Sequence, residues 1–116
     1  MGLQLDTQWR ILTISLEGEL DYTQAERLRS QIDSAYEKSP CKHMVLNMEE
    51  ISFMDSSGIG MIIGRYKNTE KRGGQLVLSN MSDSITKLFE VSGLAKIVSR
   101  AATVKDAIEL LGGNHE

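Results

Sequence analysis

One cysteine, Cys41, and one proline, Pro40, are all that 116 residues hold of either type. A single cysteine excludes an intramolecular disulfide and a cysteine-based metal cluster, so the cytoplasm is the expected compartment. Basic residues are not in excess either, with 13 Lys and Arg against 16 Asp and Glu and a formal charge of -3. Nucleic acid and anionic membranes, which call for a surplus of Lys and Arg, are therefore not expected as partners. No apolar run exceeds a few residues, and "MGLQLDTQWR" has neither a basic start followed by an apolar block nor a Ser or Thr at position 6. No membrane span, leader or myristoyl anchor is expected.

Several chemistries are also missing. No G-x-x-x-x-G-K-[ST] loop cradles a nucleotide, and "GIGMIIG" falls inside a helix, where its glycines read as packing. A serine hydrolase would have to recruit its base from His43, beside a strand, or His115, in the tail, and "MDSSG" is not a G-x-S-x-G elbow. Glu49, Glu50 and Asp55 read as solvated loop acids without a histidine at ligand spacing, so no metal and no resident cofactor is assigned.

What is present suffices for one domain, 1–116, since 41% of the residues are hydrophobic; only "GGNHE", 112–116, is expected to fray. "LQLDTQWRILTISLEGEL" carries two β-prone runs around a polar turn at Asp6 to Gln8. Asp21 starts a helix, with Gln24 placed to complete a capping box and Ala25, Leu28, Ile32, Ala35 and Tyr36 forming an apolar face. Pro40 follows it. "HMVLNM" is a buried strand, and the chain then passes through Glu49 and Glu50 into Ile51 to Met54.

Ile59, Ile62, Ile63 and Tyr66 mark a second helix, closed by Gly73 and Gly74. Its basic residues, Arg65, Lys67, Lys71 and Arg72, read as a solvated face. "QLVLS" is a strand, Ser82 caps a helix bearing Ile85, Leu88 and Phe89, "KIV" is a short strand, and Thr103 with Asp106 caps a last helix. The order ββαβαβαβα predicts an α/β fold, with a mixed, mostly parallel sheet of four to five strands and about four helices.

One stretch supplies more than a helix start needs. "ISFMDSSGIG" places Asp55, Ser56 and Ser57 at a strand-to-helix junction, where free N–H groups and the helix dipole favour negative charge. Capping alone accounts for any one of the three. An acid, two hydroxyls and then Gly58 and Gly60, which leave backbone accessible, also suit a hydroxyl that another molecule acts upon. The local pattern does not choose between Ser56 and Ser57.

"LEGELD", "FMDSSGIGMIIGRYK" and "LFEVSGLAKIV" together resemble the anti-sigma factor antagonists of the STAS domain family over nearly the whole chain. The family signature D-S-[ST]-G-[LIV]-G is matched at Asp55, Ser56, Ser57, Gly58, Ile59 and Gly60. The resemblance implies a partner switch whose phosphate acceptor is Ser56. The partner would be an anti-sigma factor serine kinase of the SpoIIAB type, which supplies ATP and magnesium. A phosphatase of the SpoIIE type would restore the serine, and the free protein would be a monomer.

Ser57, where the stress-response branch usually has threonine, leans toward the sporulation branch. By resemblance, Glu19, Asp21, Ile59, Gly60 and Ile63 join the signature in facing the kinase. Asp21 is equally explained as a cap, Ile63 as core and Gly60 as a packing glycine. A STAS module sensing a small ligand stays open, although no dedicated pocket residues stand out. A receiver-like domain with Asp55 as acceptor lacks its early acidic pair and late lysine.

Overall fold

The computed structural model describes residues 3–112. Strand β1, Leu3–Gln8, turns back into β2, Ile11–Leu20, and helix α1 covers Tyr22–Lys38. Strand β3, His43–Met54, leads into α2, Ser56–Lys71, and β4, Leu76–Ser79, into α3, Asp83–Val91. A 3-10 turn at Leu94–Lys96 precedes β5, Ser99–Ala101, and α4, Val104–Leu110. The five strands lie in sequence order, with β1 antiparallel to β2 and the remaining pairs parallel. This is the expected mixed sheet, and parallel pairing follows because each later strand returns through a helix.

The hairpin turn falls at Trp9 and Arg10, both at positive φ, 58° and 64°, rather than at the more polar Asp6 to Gln8. Two successive left-handed residues match the strand twist of a two-residue hairpin, although the sequence offers no glycine there. The sheet's two faces are covered unequally. Leu12, Ile14, Leu16, Met44, Leu46, Met48 and Leu78 point to the face packed by Leu28 and Ile32 of α1, Ile62 of α2 and Phe89 of α3. Alternate residues, Ile11, Val45 and Val77, meet Ala107 of α4 in a smaller second cluster. A strand buried on both faces reads as a continuous apolar run, as "MVL" does in β3.

Further local expectations are corrected. Glu49 and Glu50 are exposed residues within β3, not loop acids: β3 runs unbroken to Met54, beside a β2 bent by two register shifts. "KIV" is not a strand, because Gly93, at φ 89°, ends α3 in a tight turn that buries Leu94 and Val98 and delays pairing until Ser99 meets Val77. Gln24 does not complete a capping box; its side-chain oxygen accepts from Arg27 instead.

The basic helix face is solvated except at Arg65. Lys67, Lys71 and Arg72 are exposed, Arg72 also stacking 3.9 Å from the Tyr36 ring centre and donating to the Ser39 and Cys41 carbonyls, but Arg65 is only 6% exposed. Gly74 closes α2 by donating to the Thr69 carbonyl, and a Cβ on it would lie 1.9 Å from the Lys42 oxygen. The expected fraying of 112–116 falls almost wholly outside the described residues.

Candidate functional site

Strands β2 and β3 end side by side, with Leu20 opposite Met54. An aspartate follows each, so the N-termini of α1 and α2 open at the same edge, beyond the carboxyl ends of parallel strands where α/β folds place their sites. Asp21 caps α1: its Oδ1 accepts from the Thr23 and Gln24 amides at 3.0 and 3.1 Å and from the Thr23 hydroxyl at 2.7 Å. The Thr23 hydroxyl, helped by those amides and opposed by desolvation, holds the Asp21 carboxyl below the usual carboxylate range.

Asp55 does more than cap. Its Oδ1 accepts from the Ser57 and Gly58 amides of α2 at 2.8 and 3.3 Å, while Oδ2 accepts from the Tyr22 amide of α1 at 3.2 Å. One carboxylate thereby ties two helix starts together, satisfying three otherwise free N–H groups. Gly58 permits this closeness, since a Cβ there would lie 2.5 Å from the Leu20 carbonyl oxygen and 2.7 Å from Met54 Cγ.

The expected site residues are brought to this edge in different ways. Ser56, the first residue of α2, is exposed, and Ser57 is half-buried and turned into a groove beside α1. Glu19 is exposed next to the end of β2 and pairs with Phe53 in register. Ile59 and Ile63 are half-buried and lean on the main core, so they keep only part of their surface for a partner. Gly58 is buried by its own chain and is not an accessible backbone, whereas Gly60 is exposed and a Cβ on it would meet nothing within 4 Å. Gly60 is therefore not a packing glycine; the packing position is Gly58.

Two residues were missed. Tyr22 is 82% exposed and Phe53 49% exposed, large aromatics at the start of α1 and near the end of β3. Their signal in the sequence is faint: Tyr22 adjoins Asp21, Phe53 lies two residues before Asp55, and each falls outside the apolar periodicity of its own element. Exposed aromatics at the centre of a surface are frequent anchors in protein interfaces. Among the described residues no cluster of three or more His, Cys, Asp or Glu gathers as a metal would require, and no helix is long and apolar enough to cross a membrane.

The family model for the STAS domain matches residues 3–107. The chain belongs to the STAS domain family, among the anti-sigma factor antagonists. It is 37% identical to the anti-sigma F factor antagonist of Paenibacillus polymyxa over 84% of this chain and 86% of that protein. To the anti-sigma F factor antagonist of Lysinibacillus sphaericus it is 36% identical, over 97% of each. The anti-sigma-B factor antagonist of Bacillus subtilis is 30% identical, over 84% of this chain and 88% of that protein.

Among solved structures, the STAS fold here is similar to the anti-sigma factor antagonist SpoIIAA in its unphosphorylated form, with a TM-score of 0.71, 32% identity and coverage of 97% and 99%. SpoIIAA of Bacillus in its phosphorylated form gives 0.69 and 34%, over 94% and 98%.

Proposed function

We propose that this chain is an anti-sigma factor antagonist switched by phosphorylation of Ser56. Unphosphorylated, it binds an anti-sigma factor that is itself a serine kinase, and so releases a sigma factor. Phosphorylated, it lets go, and a phosphatase returns it to service. The observation that carries this reading is an exposed Ser56 at the N-terminus of α2, directly after Asp55, whose carboxylate also holds the Tyr22 amide of α1. It is supported by relatives named for antagonism of anti-sigma factors and by a similar protein solved in both phosphorylation states.

The chemistry divides between the two proteins. This chain supplies the acceptor oxygen; nucleotide, magnesium and base come with the kinase. A phosphoserine adds about -1.5 to -2 charges and three acceptor oxygens, which a helix N-terminus tolerates within its own chain. A partner surface fitted to a neutral hydroxyl does not tolerate them beside Asp55, where they bring repulsion and desolvation. A loss of about 3 kcal/mol lowers affinity roughly a hundredfold. The switch is thus a blockade of docking with little change in the fold. Similarity to the anti-sigma F factor antagonists favours sporulation as its setting; the anti-sigma-B relative makes stress response the second reading.

Intact-mass spectrometry with fragment-ion localisation, after incubation with the cognate kinase and ATP, tests the reading. One acid-stable addition of about 80 Da on Ser56 is expected. Two unmodified serines would reduce "DSSG" to a helix cap.

A further inference from the structure

Between the N-terminal halves of α1 and α2 runs an open groove of about 320 Å³, with Tyr22 and Glu26 on one wall and Ser57, Gly60 and Arg65 on the other. That volume falls at the small end of ligand pockets, about 300–1,000 Å³. Arg65 is the unusual member. Its Nε approaches Asp33 Oδ1 at 2.9 Å, close enough for charge attraction but outside hydrogen-bonding geometry. Its Nε and Nη1 are buried and have no hydrogen-bond partner among the described residues.

The neighbouring acids are already engaged. Asp33 accepts from Asn68 Nδ2 at 3.1 Å and from Arg29 Nη1 at 3.2 Å, and Glu26 is paired with the Arg29 guanidinium. Burial pushes Arg65 below the ordinary guanidinium range, with attraction to Asp33 opposing it. The group still stays charged. A buried cation with unspent donors is costly unless something accepts from it.

We infer that this groove binds a small oxyanion, a carboxylate or phosphate group, held by the Arg65 guanidinium. A guanidinium presents a planar fork of N–H donors that matches two oxygens on one centre. Its side chain lines the groove yet is only 7% exposed, a narrow opening that suits a small molecule better than a protein surface. The open space over Gly60 and the outward Tyr22 ring leave room for the body of such a ligand, which would extend toward Ser57. Nothing in this site depends on Ser56 or on a kinase.

The test is a ¹H–¹⁵N NMR titration of the whole chain with sodium phosphate and, separately, sodium acetate, with sodium chloride holding the ionic strength constant. Saturable shifts of the Arg65 Nε–Hε signal and of the Ser57 and Gly60 amides are expected for at least one probe. Which probe saturates tells phosphate from carboxylate. In Arg65→Met the binding weakens about tenfold or more, while Arg65→Lys, which keeps the charge and loses the fork, falls between. Non-saturating shifts with both probes, or a curve unchanged in Arg65→Met, overturn the site. The Arg65 Nε–Hε signal of the unaltered protein decides the matter even where the Met variant fails to fold.

Discussion

Helices α1 and α2 begin differently from α3 and α4. The first two are capped by aspartates, carry no acid in their first turns and share the Asp55 carboxylate. The other two are capped by hydroxyls, Ser82 and Thr103, and carry Asp83 and Asp106 in their first turns. An acid in the first turn uses up the favourable potential of a helix N-terminus, whereas α2 keeps that turn free. Similar local capping thus serves two ends. At α3 and α4 it finishes a helix; at α1 and α2 it fuses two helix starts into one platform with an exposed hydroxyl on it.

The comparison breaks most visibly at Ser56. Ser56→Glu is expected to lower affinity for the anti-sigma factor about a hundredfold by isothermal titration calorimetry, while Ser84→Glu, in the first turn of α3, leaves it unchanged. Equal losses would mean that the α2 start has no special role. Next come the glycines of the platform. Gly58→Ala is expected to cost about 1–3 kcal/mol in urea unfolding because its Cβ collides with Leu20 and Met54. Gly60→Ala, a step away with open space, stabilises the fold by up to about 1 kcal/mol.

Caps sharpen the comparison on a smaller scale. Asp55→Ala, which frees amides on two helices, is expected to cost about 2 kcal/mol, against about 1 for Ser82→Ala on α3. The smallest effect is that of pH. Because Asp21 is held below the usual carboxylate range when folded, its contribution is present above its unfolded pKa and fades as pH falls through the lowered value. Asp21→Asn should flatten that acid limb, whereas the hydroxyl caps of α3 and α4 have no charge to lose. Retained stability with lost kinase binding in this variant would also mark Asp21 as an interface residue, since Asn still caps well.

The element order, the helix starts at Asp21, Asp55, Ser82 and Thr103 and the α/β class were all legible in the residues. Caps bond amides two or three positions away, and apolar periods follow from helix and strand geometry, so neither needs distant information. Arg65 was not legible. On a helix otherwise bearing Lys67 and Lys71 outward it read as solvated, and only the approach of α1 turned it into a buried group against Asp33. Tyr22 and Phe53 passed unnoticed because exposure is set by what fails to pack above a residue, and local spacing does not report that.

The two signature glycines draw the same line. "SSGIG" contains them two positions apart with identical chemistry, and the sequence by itself placed both at an accessible helix start. Which one bears on packing was decided by the neighbouring strand: β2 delivers the Leu20 carbonyl against Gly58 and leaves Gly60 open. Asp55 divides likewise. Its bonds to Ser57 and Gly58 were written into the sequence, because they span two and three residues. Its bond to Tyr22 spans 33 residues and exists only because β2 and β3 run parallel and end together, a pairing that long-range packing of the sheet had to settle.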